Sequence, residues 1–146
     1  MTADSFLRAY IITALWSSHD DSDPETGGEP LDRNYSESDL APQTLARMAA
    51  DCRRFETENA ATINAAIETG EVQCGPDFDE HERAAHDFWL TRNHHGAGFW
   101  DGDWPEPYAT QLTDAAHAFG EAELYLGDDG LIYQFGAERY AEESSQ

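Results

Sequence analysis

Leu124-Tyr125-Leu126-Gly127-Asp128-Asp129-Gly130-Leu131-Ile132-Tyr133 separates an α+β chain from an all-helical one. Two apolar runs rich in β-formers flank a turn that ends in Asp129-Gly130, and Asp-Gly between such runs is a strong hairpin signal. The pattern predicts antiparallel strands over about 121–126 and 131–135. Upstream the apolar spacing becomes helical. Residues 105–119 place Tyr108, Leu112, Ala115, Ala116 and Phe119 on one face, stopped by Gly120.

Further upstream, three more helices are expected. One spans about 77–92, with Ala84, Ala85, Phe88 and Trp89 inward, and Phe99-Trp100 after it reads as a short strand. Another spans Pro42 to Thr69, with Leu45, Met48, Ala49, Cys52, Phe55, Ile63 and Ile67 as its stripe. Pro42 suits a first helical turn and Gly70 a C-terminal cap. The first spans Ala3 to Ser17, with Phe6, Tyr10, Ile11, Ala14 and Leu15 inward. Residues 18–39 hold turn formers and acids and read as a long acidic loop. The expected fold class is α+β: about four helices on a small C-terminal antiparallel sheet of two or three strands, in one domain over 1–146 with a frayed end at about 137–146.

Composition restricts function. Of 146 residues, 30 are Asp or Glu and 8 are Lys or Arg, giving a formal charge of −22. All 8 cations are Arg, so lysine Schiff-base and P-loop lysine chemistry are excluded. The acid excess argues against direct binding of nucleic acid or an anionic membrane, both of which need a basic footprint. Hydrophobic residues at 40% and aromatics at 12% distinguish the chain from an acidic disordered tail. No apolar run approaches the ~20 residues of a membrane helix. Arg8 interrupts the N-terminal apolar stretch, which lacks signal-peptide features. Cys52 on the long helix reads as a small buried hydrophobe. Its pairing with Cys74 is left open by the sequence.

The densest chemical segment is His86-Asp87-Phe88-Trp89-Leu90-Thr91-Arg92-Asn93-His94-His95-Gly96-Ala97-Gly98-Phe99-Trp100-Asp101. It reads as a helix ending in a glycine turn whose aromatics seal a core, and so as fold maintenance. An interface reading would use Arg92, His94, Trp100, Asp101 and Trp104, with Arg92 and Trp104 exposed. An enzymatic alternative would gather Arg92, His94 and Asp101 in one pocket. No catalytic residue, metal ligand set or cofactor is predicted. His81 and His86 are five apart rather than i,i+4, and neither HExxH nor a Cys pair is present. The stretch from Asp21 lacks the glycine of a calcium loop, having Thr26 at the sixth place. Neither GxSxG nor GxGxxG occurs.

Three readings of the charge compete. In DNA mimicry, acids stand where a basic groove expects phosphates; helical carboxylates at i,i+4 lie about 6 Å apart along the axis. One row would run through Glu56, Glu58, Glu68, Glu71, Asp77, Asp79, Glu80 and Glu82. The loop acids Asp20, Asp21, Asp23, Glu25 and Glu29 would form a second. The partner would be a nucleic-acid-binding protein with a basic groove. Salt adaptation or compositional bias would instead account for acids and exclusive Arg without a partner. A protein-interaction module would use the aromatics around Trp100 and Trp104.

The central segment, together with Leu124 to Tyr133, Ala14-Leu15-Trp16-Ser17 and Gly28-Glu29-Pro30-Leu31-Asp32-Arg33-Asn34-Tyr35, resembles a family of small acidic proteins of tailed bacteriophages and prophages. The chain departs from that pattern at His95 and over Asp103 to Pro107. The resemblance implies phage origin and action in the host cytoplasm. It transfers no catalytic residue. With the charge, it leads to the expectation of a host-defence inhibitor, of anti-CRISPR or anti-restriction type, that works by DNA mimicry.

Self-repulsion at −22 opposes folding. The melting temperature is therefore expected to rise on going from low salt to several hundred millimolar sodium chloride at neutral pH; calorimetry checks the direction.

Overall fold

The computed structural model describes residues 2–20, 29–94 and 98–134, with side chains for 5–19, 30–94 and 98–134. Helix α1 (Thr2–Ser17) turns Phe6, Ala9, Tyr10, Thr13 and Ala14 inward, each buried. Thr13 tolerates burial because its hydroxyl donates to the Ala9 carbonyl at 2.8 Å. Strand β1 (His19–Asp20) pairs antiparallel with β2 (Glu29–Pro30), with His19 opposite Pro30 and Asp20 opposite Glu29. Short 3-10 turns follow at Leu31–Arg33 and Glu37–Asp39.

The described ends of the segment 18–39, expected as one loop, carry these short strands and turns. The Leu31 N–H donates to the Ser18 carbonyl at 2.9 Å, and the Leu31 side chain is fully buried. Ser36 and Asp39 form a capping box that sets the second turn. Residues 21–28, which include Asp21, Asp23 and Glu25, lie outside the described residues.

Helix α2 (Pro42–Glu68) is the longest described element, about 40 Å at 1.5 Å per residue. Met48, Cys52, Phe55 and Ile63 are buried as their spacing predicts, Ala49 and Ile67 are half-buried, Ala66 is buried as well, and Gly70 ends the helix region with φ of 75°. Both cysteines are free. Leu45, read as inward, is 41% exposed. Thr44 takes the inward place because its hydroxyl accepts the Gln134 N–H at 3.1 Å.

Helix α3 (Glu80–Arg92) starts later than the periodicity suggests. Asp79 caps it: Asp79 Oδ1 accepts the Glu82 N–H at 2.8 Å, and Glu82 Oε1 accepts the Asp79 N–H at 2.9 Å. Every residue from Ala84 to Arg92 is buried. Phe99-Trp100 is a turn rather than a strand. The Phe99 N–H is claimed by the Thr91 hydroxyl at 3.1 Å and is not available to a ladder.

Helix α4 (Tyr108–His117) likewise starts later than Pro105, where the Glu106 carboxylate accepts both the N–H and the hydroxyl of Thr110 at 2.9 Å. Strands β3 (Leu124–Leu126) and β4 (Ile132–Gln134) form the expected hairpin, with Tyr125 opposite Tyr133. In its turn, Asp129 accepts the Leu131 N–H at 3.0 Å and the Tyr133 O–H at 2.5 Å. The hairpin docks on the start of α2, where the Ala41 N–H donates to the Ile132 carbonyl at 2.9 Å. The fold class is α+β, with four described helices and a two-stranded C-terminal sheet. The region at 137–146 read as frayed lies outside the described residues.

Phe55 lies at the centre of the core. Its ring stacks on Phe88 at 4.0 Å between centroids and meets Phe99 and Phe119, each at 5.9 Å. Tyr10 brings α1 into the same cluster, 5.3 Å from both Phe88 and Trp89. Among the described residues no helix is long and apolar enough to cross a membrane.

Gly98 lies against Thr91, and a Cβ there would overlap the Thr91 hydroxyl oxygen. Gly98→Ala is expected to lower stability by about 1–3 kcal/mol, read from the urea midpoint, with the far-ultraviolet spectrum unchanged.

Candidate partner-binding surface

The central motif divides into an interior part and an exposed part. Arg92, on the last turn of α3, is 1% exposed. Its Nη1 donates to Asp51 Oδ2 on α2 at 2.9 Å and to the Tyr10 hydroxyl on α1 at 3.0 Å. Its Nε and Nη2 donate to the carbonyls of Gly120 and Phe119 at 2.8 and 3.2 Å. The guanidinium also lies over the Phe88 and Phe119 rings, 5.4 and 5.6 Å from their centroids. Burial works against the Arg92 charge, but Tyr10 and Asp51 more than offset it and raise its pKa. Burial also pushes the Tyr10 hydroxyl well above its ordinary value.

Asp87 anchors a second interior network and is fully buried. Trp104 Nε1 donates to its Oδ2 at 2.7 Å, and His86 Nδ1 donates to its Oδ1 at 2.8 Å. Arg83 Nε lies 3.5 Å from the same carboxylate, while Arg83 Nη2 reaches Asp103 at 2.6 Å. The neighbouring motif residues also hold the fold. Trp89 Nε1 donates to the Ser17 hydroxyl at 2.8 Å, and Asn93 Oδ1 accepts the Ala122 N–H at 2.7 Å.

Arg92 and Trp104 are thus interior, which corrects the expectation that they would be exposed. Their polar atoms are taken up inside the fold, by the carboxylates of Asp51 and Asp87, the Tyr10 hydroxyl and the carbonyls of Phe119 and Gly120. His94 is exposed in the left-handed region with φ of 57°, and its ring stacks on His117 at 4.5 Å. Trp100 is 54% exposed; Asp101 is exposed and accepts the Gly98 N–H at 3.3 Å. Arg92, His94 and Asp101 do not meet. None of the clefts described below is lined by any of them.

The predicted acidic row is not one helical row. Glu56, Glu58 and Glu68 belong to α2, Glu71 and Asp77 to the connector, and Asp79 to Glu82 to the start of α3. Glu58 pairs with Arg54 at 3.0 Å. Asp79 and Glu82 cap α3, and Glu80 accepts the Cys74 thiol at 3.8 Å. Asp77 is exposed. Asp20 and Glu29 are backbone register partners in the β1–β2 ladder.

Two ion pairs reach the interior, Arg92 with Asp51 and Arg83 with Asp87, and both are shared: Arg47 also approaches Asp51 at 3.3 Å and Arg83 also meets Asp103. Outside them stand 28 acids and 6 arginines, so the full formal charge of −22 lies outside the interior pairs.

Sequence reasoning missed three features. Asp51 sits on the apolar stripe of α2, one residue before Cys52, and an acid on such a stripe is the signal that a buried cation must meet it. Ile12 and Trp16 form an i,i+4 pair on the outer side of α1, 44% and 42% exposed. Glu56 lines a cleft of about 340 Å³ with Phe6, Arg53, Ile63, Asn64 and His81. Burial there pushes its carboxyl up to about 7. No family model, curated protein or solved structure matches the chain.

Because the folded-state pKa of Glu56 is raised from 4.5 to about 7, its ionisation penalises folding as pH climbs through that window, and the full penalty applies above it. Glu56→Gln is expected to raise the melting temperature relative to the parent at pH 8 and to give no gain at pH 4. A paired melting series across that range checks the sign.

Proposed function

We propose that the chain is a phage-encoded inhibitor that occupies the basic groove of a host nucleic-acid-binding defence complex, of CRISPR or restriction type, in place of DNA. The supporting observation is the excess of charge: with Arg92, Arg83, Asp51 and Asp87 set aside as partners of the interior, 28 acids stand against 6 arginines, and all 22 excess negative charges remain. A helical scaffold whose buried acids Asp51 and Asp87 both meet arginine carries these charges. Charge of this size steers association with a cationic groove and makes it sensitive to salt. The acids expected to carry contact are Asp77 and the stretch from Asp20 to Glu29, since Asp79 and Glu82 already cap α3. The phage resemblance of the central motif supplies the biological setting of this reading.

The inhibitor reading is tested with purified CRISPR and restriction effectors and a labelled cognate DNA duplex. The protein is expected to displace the duplex from one of them at low salt and to lose that ability at high salt. Reversing Asp20, Asp21, Asp23 and Glu25 to lysine should cut displacement at least about tenfold, the scale of 1.4 kcal/mol. Undiminished displacement by the folded variant removes those acids from the mechanism.

A further inference from the structure

The outer side of α1 carries an apolar ridge between two grooves. Ile12 and Trp16 stand one turn apart on it. Ile12 lines both grooves. The groove on one side holds about 230 Å³ and is walled by Ile11, Leu15 and Tyr35, with Asp32 and Glu37 among its lining. The groove on the other side holds about 490 Å³ and is walled by Pro76, Phe78 and His86, with Asp77 among its lining. Its floor is fixed. The His86 ring lies 6.0 Å from Trp16 and 5.6 Å from Phe78, and its Nδ1 is held by Asp87.

Asp32, Glu37 and Asp77 are all exposed, so acids border the apolar ridge on both sides. Arg8 also lines the first groove and Arg83 the second, where Arg83 is matched by Asp87 and Asp103. A second copy of a chain carrying −22 would bring like charge against these rims. An occupant with cations beside apolar anchors meets both the ridge and its borders.

We infer that the Ile12–Trp16 ridge docks an amphipathic basic helix of the partner protein, its apolar side chains seated in the two flanking grooves and its lysines or arginines facing Asp32, Glu37 and Asp77. This rests on the reading of the chain as a ligand for a basic protein and adds an apolar anchor to it. Charge alone would bind any polycation. The ridge would select those that carry a hydrophobic face, as helix-in-groove recognition does.

Two fluorescein-labelled helical peptides of equal length and equal lysine content test the inference. One carries leucine at i, i+3, i+4 and i+7, and the other carries alanine there. Anisotropy titrations at fixed salt are expected to show the leucine peptide binding at least tenfold tighter. Ile12→Ser and Trp16→Ala, each confirmed folded by melting, should each reduce that preference at least threefold. Leu45→Ser, an exposed apolar site on α2, should leave it unchanged. Equal binding of the two peptides overturns the inference, as does a preference that survives both ridge variants. So does a dimer in sedimentation velocity that the ridge variants dissociate. The alanine peptide separates this inference from the reading it rests on: its salt-sensitive binding persists if only the ridge is wrong, and its absence contradicts attraction to basic partners altogether.

Discussion

One buried guanidinium holds four parts of the chain together. Arg92 on α3 reaches Tyr10 on α1, Asp51 on α2 and two carbonyls just past α4. At 1% exposure an unpaired charge would be untenable, and losing one partner of such a pair costs about 3–5 kcal/mol. Replacing both partners by apolar groups is often nearly neutral, so the pair contributes less to stability than to specificity of arrangement. In this chain it joins α1, α2 and α3 at one point. The aromatic cluster around Phe55 then fills the space those helices enclose. Asp87, midway along α3, ties Trp104 to the helix, and Arg83 one turn earlier on α3 braces the same carboxylate.

These interior networks bear on function. Segment 86–104 has the composition of an active site, yet two of its charged members are spent inside the fold, Asp87 on His86 and Trp104 and Arg92 on Asp51 and Tyr10. What the protein offers outward is different: a large excess of acids, and an apolar ridge at Ile12 and Trp16. The two belong together physically. Acids give long-range attraction that salt screens within about 10 Å at 0.1 M, whereas apolar contact is short-ranged and insensitive to salt. A surface using both attracts basic partners broadly and retains those with a matching apolar face.

Much of the fold was legible in the sequence, because strong local signals carried it. The α2 stripe, the burial of Cys52 and the Asp129-Gly130 hairpin were read from periodicity and turn chemistry. The starts of α3 and α4 were not, since the side chains of Asp79 and Glu106 set them against the apolar pattern. Leu45 and Thr44 exchanged roles because a hydroxyl was needed for the Gln134 N–H, a contact 90 residues away in sequence. Arg92 and Trp104 were misplaced for the same reason: their partners Asp51, Tyr10 and Asp87 come from elements that only the tertiary fold brings near. The acids of the row were visible, but their capping duties were not. The ridge on α1 escaped because the helix is apolar on more sides than one core face requires.

Arg92 serves the interior of the fold, joined there to Asp51. A double-mutant cycle on Arg92→Met and Asp51→Leu, read by urea denaturation, tests it most directly. The account predicts that Arg92→Met alone costs about 3–5 kcal/mol and that the two changes couple by about 2 kcal/mol, with the double variant regaining part of the loss. A cost below about 1 kcal/mol for Arg92→Met, or additivity within about 0.5 kcal/mol, would contradict it and return Arg92 to the list of residues free to act on a partner.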